Sequence, residues 1–222
     1  MATTRGVRPP SLRRAVTGTR HFVGELLFER RYRVRTSGRL ILDMHDEESI
    51  CYVAMKWRQL RRTLPVGSVT DRDVFIDIGS GMGRAVLEAA ARYPFARVIG
   101  VELCEELHEV AKRNMATTTR RLRCPNVELI CGDIRDYRIP DDVTVVFINN
   151  SVRGSIFAGV VEQISESMRR YPRPMRLIYG NPLEEDALLA TGQWRKVRTI
   201  APRRSRSRYG VTCVYEWVDG AG

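Results

Sequence analysis

Val74-Phe75-Ile76-Asp77-Ile78-Gly79-Ser80-Gly81-Met82-Gly83-Arg84 is the stretch that decides how this chain folds. Its first five residues are a short, nearly continuous apolar run, the pattern of a strand covered on both faces rather than one that alternates toward water. Three glycines in five positions follow. Glycine lets a backbone turn sharply and approach another group where a Cβ would collide. The alanine-rich segment from Ala85 to Arg92 then has helical composition, and Pro94 ends it. Strand, glycine turn and helix in that order form the opening unit of an α/β sheet.

The same alternation continues outward. Arg97 to Glu102 reads as a second strand and Cys104 to Met115 as a second helix. Asn126 to Cys131 is a third strand, and Val143 to Ile148 a fourth and the most apolar. Ser155 to Arg170 is a helix, Met175 to Tyr179 a fifth strand, and Leu183 to Ala190 a short helix. Trp194 to Ile200 and Gly210 to Val218 form an antiparallel hairpin around a loop holding Arg203, Arg204, Arg206 and Arg208. The expected fold is α/β: a doubly wound, mostly parallel sheet with helices on both faces and a C-terminal antiparallel hairpin. Ligands in such sheets collect at the carboxyl ends of the strands, near the topological switch point. The functional residues are therefore expected just after Ile78, Val101, Ile130 and Ile148.

Upstream, residues 1–72 read as a basic N-terminal arm and helical cap, and residues 73–222 as the ligand-binding domain. The arm carries Pro9-Pro10. Residues 21–33 look like a short amphipathic helix. Residues 49–62 form another, with Ile50, Val53, Ala54, Trp57 and Leu60 at helical spacing and Arg58, Arg61 and Arg62 outside the stripe.

The 222 residues are 43% hydrophobic and 28% charged, the composition of a globular chain that buries a core. This excludes a disordered, fibrous or disulfide-scaffold protein. No apolar run approaches the roughly 20 residues of a membrane span. The basic start has no apolar stretch behind it, so it is not a secretory signal. Five cysteines without a Cys-x-x-Cys pair, and three histidines, point to reduced thiols, a cytoplasmic protein and no metal. Lys+Arg number 37 against 26 Asp+Glu, a net charge of +11, and only Lys56, Lys112 and Lys196 are lysines. The charge is uneven: +8 over residues 1–72, −2 over 73–150 and +5 over 151–222.

The chemistry concentrates in the slightly acidic middle. The turn is Gly-x-Gly-x-Gly, whereas a dinucleotide fingerprint needs Gly-x-Gly-x-x-Gly with a small residue where Arg84 stands. Asp77, two residues before the first glycine, disfavours a pyrophosphate and suits a cationic ligand. Glu102 lies 19 residues beyond Gly83. That is near the roughly 20-residue offset at which a carboxylate grips a ribose diol. The third strand ends in Cys131-Gly132-Asp133-Ile134 and the fourth in Asn149-Asn150.

These four segments together resemble the class I, seven-β-strand, S-adenosylmethionine-dependent methyltransferases over about residues 70–182. The resemblance implies S-adenosyl-L-methionine as cofactor, and residues 73–222 as the domain that binds it. It implies contacts from Asp77, Gly79, Ser80, Gly81, Gly83, Glu102, Leu103, Asp133, Ile134 and Asn149. Asp77 would lie near the methionine end, Glu102 on the ribose and Asp133 on the adenine amino group. Asn149 would orient an acceptor nitrogen through its side-chain carbonyl. Val145-Val146-Phe147-Ile148-Asn149-Asn150 is similar to a set of uncharacterised actinobacterial methyltransferases and, more distantly, to the non-SET histone-lysine methyltransferases. Those usually carry Asn-Pro-Phe after the fourth strand and often Tyr-x-Pro upstream. This chain has Asn149-Asn150-Ser151-Val152 and Tyr52-Val53-Ala54.

Tyr52 joins Asn149 as a candidate catalytic residue, with a helix-face tyrosine as the competing reading. His45, among Asp43, Asp46, Glu47 and Glu48, is read as a solvated loop histidine before a general base. Trp57 is read as core. Compact size points to methyl transfer to a small-molecule acceptor at nitrogen or oxygen. The alternatives are a protein-lysine N-methyltransferase, suggested by the Val145 to Asn150 segment, and a non-catalytic or RNA-directed binding module. The arginine runs lack interleaved aromatics apart from Tyr209, which disfavours nucleic acid as partner. No membrane partner is expected. The basic flanks point to an acidic acceptor or surface, although high-GC codon usage also favours arginine over lysine.

Overall fold

The computed structural model describes residues 26–37, 54–56, 58–201 and 210–218. The arm, His45, Tyr52, Trp57 and the Arg203, Arg204, Arg206 and Arg208 group lie outside the described residues. Helix α1 is seen over residues 26–32. The remaining elements are α2 (Gln59–Thr63), β1 (Val74–Ile78), α3 (Arg84–Arg92), β2 (Arg97–Glu102), α4 (Glu105–Thr117), β3 (Val127–Cys131) and β4 (Val145–Asn149). They continue with α5 (Gly154–Arg170), β5 (Arg176–Gly180), α6 (Glu185–Ala190), β6 (Trp194–Ile200) and β7 (Thr212–Trp217).

The seven strands form one sheet in the order β3-β2-β1-β4-β5-β7-β6. β1 pairs in parallel with both β2 and β4, so the strand order reverses between β1 and β4. That reversal is the topological switch point. β7 pairs antiparallel with β5 and β6, as the hairpin reading requires. Because side chains alternate along a strand, the sheet buries two cores. Phe75, Val145, Phe147 and Ile178 pack with Leu60, Leu64, Ala89 and Tyr93 on one face. Ile76, Ile78, Ile148 and Leu177 pack with Phe157, Val160 and Ile164 on the other.

The helix expected over residues 49–62 is much shorter. It begins only at Gln59, because Arg58 has φ 72°, a left-handed conformation that a right-handed helix cannot continue through. Ala54 to Lys56 are not helical. The apolar spacing that suggested a long helix still reports burial, since Met55, Leu60 and Leu64 all lie in the core. Residues upstream of β1 therefore share the core of the sheet. Phe28 and Tyr32 of α1 are likewise buried against Leu87 of α3. Among the described residues, no helix is long and apolar enough to cross a membrane.

Candidate active site

The switch point places two carboxyl groups together. Asp77 is the fourth residue of β1 and is 3% exposed; Glu102 ends the adjacent β2 and is 8% exposed. Burial pushes the Asp77 carboxyl well above the usual carboxylate range, and the negative Glu102 beside it adds to the push. Burial also raises Glu102, against the lowering effect of backbone amides that donate to it. Glu102 Oε2 accepts from Gly81 N at 2.6 Å and Oε1 from Cys104 N at 2.9 Å. A carboxylate has about four lone-pair sites, so with the amides of Gly81, Leu103 and Cys104 donating to it Glu102 keeps acceptor capacity for a further donor such as a ribose hydroxyl. The Asp77 carboxyl has no hydrogen-bond partner among the described residues. A desolvated pair of acids with spare acceptors fits a ligand that brings positive charge and hydroxyl donors.

The glycine turn is shaped as much by its neighbours as by a ligand. Gly79 has φ 72°, and a Cβ there would overlap the side chain of Ser151. Ser151 sits after β4, and its hydroxyl donates to Ile78 O at 2.5 Å, stitching the β4 end to the β1 end. A Cβ at Gly83 would press on Ala111 of α4. Gly79 N and Ser80 N both donate to Val101 O. Ser80 is 6% exposed and faces Gly100 of β2, turned into the sheet. These internal contacts are a second reason for glycines at this turn, beyond close approach of a cofactor.

The next strand end brings Asp133 and Ile134 to the same edge. Asp133 is pinned by a residue two positions on: Arg135 N donates to Oδ1 at 2.8 Å, while Arg135 Nη2 and Nε donate to Oδ2 at 2.6 and 2.9 Å. The Arg135 side chain holds this carboxyl below its ordinary range. Ile134 is 7% exposed and packs in the α5-side core. Leu103, directly after Glu102, is by contrast 54% exposed, an apolar surface beside the acid.

Asn149 ends β4 across the switch point from Asp77. Its Oδ1 accepts from Gln59 Nε2 of α2 at 2.9 Å, and Gln59 Oε1 accepts from Lys56 N at 3.0 Å. A Cβ at Gly180 of β5 would overlap Asn149 Oδ1 and come within 2.8 Å of Gln59 Nε2, so the pair rests on a glycine. The Asn149 carbonyl expected to face an acceptor is already hydrogen-bonded to α2. On the adjoining position, Asn150 has φ 63° and its Oδ1 accepts from Asn181 Nδ2 at 3.3 Å. Asn181, also left-handed, accepts in turn from Gly210 N.

Three residues were not legible as site residues. Gln59 acts across 90 positions of sequence. Asn114 of α4 donates from Nδ2 to Met82 O in the glycine turn and to Arg35 O upstream, at 2.9 and 2.8 Å. Arg84 is 2% exposed; its Nε donates to Thr36 Oγ1 and its Nη1 to Met55 O. For Arg84 there was a signal, since a large cation stood where a nucleotide fold packs its helix closely. Among the described residues, no group of three or more His, Cys, Asp or Glu is placed to hold a metal ion.

The family model described as "Histone methylation protein DOT1" matches residues 48–173, more than half of the chain. The chain belongs to the DOT1 family. Its match begins upstream of α2 and runs through α5, so it includes Gln59, Asp77, Glu102, Asp133 and Asn149. A curated relative, the tRNA (guanine-N(7)-)-methyltransferase of Oenococcus oeni, is 31% identical over 81 residues, covering 35% of this chain and 36% of the relative. This DOT1-family chain thus spans about a third of the length of the curated relatives it matches. Solved structures sharing its fold include an RNA methyltransferase from Salinibacter ruber in complex with S-adenosyl-L-homocysteine. That structure is 24% identical with a TM-score of 0.50, covering 74% of this chain and 92% of the other. They also include precorrin-6y C5,15-methyltransferase from Geobacter metallireducens GS-15, 18% identical with a TM-score of 0.56, covering 79% and 95%. Both are likenesses of fold: the DOT1-family sheet is the class I methyltransferase sheet.

Proposed function

We propose that the protein is an S-adenosylmethionine-dependent methyltransferase that modifies an amine nitrogen. The observation that carries the reading is the desolvated Asp77–Glu102 pair at the switch point of a sheet that matches the DOT1 family. Asp77, Gly81, Glu102, Leu103 and Asp133 are the residues that would hold the cofactor. When bound, S-adenosylmethionine supplies an activated methyl group. The chain's own part is to keep water away, orient the acceptor and leave its nitrogen lone pair exposed. A cationic ligand would stabilise the ionised forms of Asp77 and Glu102, which burial and their mutual repulsion disfavour without it. The Asn149 amide, held on Gly180, orients the acceptor nitrogen. Its proton leaves to water, so no dedicated base is required.

A protein lysine amine ranks first among acceptors, because the DOT1 match runs through the Asn149-Asn150 segment. A small-molecule amine is the second class. An acidic surround for either amine is supported by a groove of about 460 Å³ beside α2. Its lining includes Arg61, Arg62 and Arg198 and no acidic residue. Two measurements test the reading. Titration calorimetry is expected to show S-adenosylmethionine binding, and no heat at millimolar cofactor would overturn it. A source-cell extract incubated with the protein and methyl-labelled cofactor, then separated into protein, RNA and small-molecule fractions, is expected to carry label in protein. Label in RNA would displace the amine reading.

A further inference from the structure

The groove beside α2 lies at the same end of the sheet as the cofactor acids. Asp77, Glu102 and Asp133 stand at the ends of β1, β2 and β3, so a cofactor held there leaves the ends of β4 and β5 to the acceptor. From β4 a row of paired residues crosses the sheet. Asn149 lies beside Gly180 of β5, Gly180 beside Thr212 of β7, and Thr212 beside Ile200 of β6. Ile200 is three strand spacings from Asn149, about 14 Å. Helix α2 crosses the same face. Gln59 touches Asn149, Leu60 lies in the core with Ile178 of β5 and Val214 of β7, and Arg62 is about one turn beyond Gln59. Arg198 pairs with Val214, so its side chain leaves β6 on the face that α2 covers. Arg61, Arg62 and Arg198 thus meet at the groove. Among the described residues its lining also includes Pro65 and Ile200, but neither an acid nor an aromatic ring. The other cations of β6 are neutralised by neighbours: Arg195 pairs with Glu216 and Lys196 with Glu185. Arg62 and Arg198 are exposed and make no ion pair or side-chain hydrogen bond among the described residues.

We propose that this groove docks an acidic segment of an acceptor protein, whose carboxylates pair with Arg62 and Arg198 while the amine to be methylated lies about four residues away at the end of β4. The proposal rests on the methyltransferase reading and deepens it by naming what accompanies the amine. The spacing follows from the row of strand ends: an extended chain advances about 3.3 Å per residue, so about four residues span the distance from Ile200 to Asn149. A guanidinium offers a carboxylate two parallel donors, and two such groups on separate elements select a segment with more than one acid. Pro65 and Ile200 add apolar surface beside the charges. A nucleobase finds no ring to stack on in this lining, which favours a peptide over RNA.

The test follows binding of a short fluorescent peptide of alternating glutamate and alanine by anisotropy, at about 0.15 M salt so that distant charges are screened. An oligouridine RNA of equal charge serves as competitor. The double variant Arg62→Ala with Arg198→Ala is expected to weaken peptide binding at least about tenfold, as loss of two charge-assisted contacts does. Arg62→Lys with Arg198→Lys is expected to recover part of it, because charge is kept and the paired donors are not. A control, Arg72→Ala with Arg121→Ala, removes the same charge from exposed positions in the loops that enter β1 and β3. It is expected to bind the peptide within about twofold of wild type. Melting temperature and cofactor affinity by calorimetry are expected to hold in all three. Equal weakening in the groove and control variants would show attraction by net charge alone and overturn the proposal. RNA that displaces the peptide at lower concentration, and itself depends on Arg62 and Arg198, would overturn it in favour of nucleic acid. The spacing is read from the protein fraction of an extract labelled by wild type with methyl-labelled S-adenosylmethionine. Modified lysines are expected to carry acids about four residues away, and acids at random positions would overturn that spacing. Wild-type protein that binds the peptide through the groove but labels no fraction would overturn the methyltransferase reading instead.

Discussion

Glu102 Oε2 accepts the amide hydrogen of Gly81 at 2.6 Å, so the carboxylate that closes β2 also fixes the middle of the turn that follows β1. A substitution at Glu102 therefore removes the acceptor proposed to face the cofactor and loosens the glycine turn together. Glu102→Ala is expected to weaken S-adenosylmethionine binding about tenfold to a hundredfold, as loss of hydrogen bonds to a charged group does. Glu102→Gln is expected to fall between, because one of its two ends is a donor facing the amide of Gly81 or Cys104. Calorimetry on both variants checks this, and a Glu102→Ala affinity within threefold of wild type would remove Glu102 from the cofactor site.

The turn itself sets the second expectation. Gly79 combines φ 72° with a position already filled by Ser151. Gly79→Ala is expected to cost about 3 kcal/mol, from left-handed backbone plus overlap with a packed neighbour. Adding Ser151→Gly removes the overlap but not the backbone term, and also deletes the hydroxyl that donates to Ile78 O. The double variant is therefore expected to recover only part of the stability. Urea unfolding of the single and double variants measures it; full recovery would mean that the backbone conformation carries no cost.

How much of this was readable beforehand depends on the range of the interaction. The β1 strand and the Trp194 to Ile200 strand follow from short runs of β-forming residues bounded by turn residues, and both occur where expected. The acids at Asp77 and Glu102 were visible because strand ends and turn glycines mark their places in one dimension. The helix around Gln59 was misjudged because apolar spacing reports burial and carries no sign of the left-handed backbone at Arg58 that starts the helix only at Gln59. Gln59 was invisible because its partner, Asn149, is distant in sequence and meets it only when α2 docks on β4 and β5. Asp133 was legible in place but not in its pairing with Arg135, a local contact that composition does not single out.

A buried acid on α3 makes stability depend on pH. Glu88 is 1% exposed, its Oε2 has no hydrogen-bond partner, and Arg92 is 3.7 Å from the other oxygen. Burial, only partly offset by Arg92 and Arg84, pushes its carboxyl from 4.5 up to about 7. The folded state thus holds this proton more tightly than the unfolded chain. Below pH 4.5 both states are protonated and Glu88 has no differential effect. As pH rises from 4.5 to 7 the unfolded chain loses the proton first, and folding stability falls. Above 7 both are ionised and the penalty is constant, about 3 kcal/mol. Glu88→Gln is expected to be more stable than wild type by about that amount at pH 8, with the difference shrinking toward zero near pH 4.5. Urea unfolding of both proteins at intervals from pH 4.5 to 8 checks the trend. A difference independent of pH would mean that Glu88 titrates normally.

Arg84 ties the upstream segment to the start of α3. It is 2% exposed and donates to Thr36 Oγ1 at 2.8 Å and Met55 O at 2.9 Å. Its guanidinium lies 5.2 Å from the centre of the Phe28 ring. Three separate parts of the chain before β1 thus converge on one side chain. Glu29, 4.0 Å from Arg84 Nη2, accepts in turn from Thr36 N, Ser37 N and Ser37 Oγ. Arg84→Met keeps the length and apolar volume of the stem but leaves Met55 O and Thr36 Oγ1 without this donor. The expected cost is about 2–4 kcal/mol, the range for breaking a buried charged hydrogen-bond network. Arg84→Lys is expected to recover only a fraction, because an ammonium cannot span the two acceptors as a planar guanidinium does. Amide hydrogen exchange locates the effect: protection at residues 34–37 is expected to drop in Arg84→Met while the β1, β4 and β5 amides keep theirs. Equal loss of protection across the sheet would show instead that Arg84 supports the core as a whole. Because Asn114 links Arg35 O to Met82 O, undocking this segment is also expected to weaken cofactor binding several-fold through the glycine turn. Unchanged affinity in a variant with exposed 34–37 amides would separate the two.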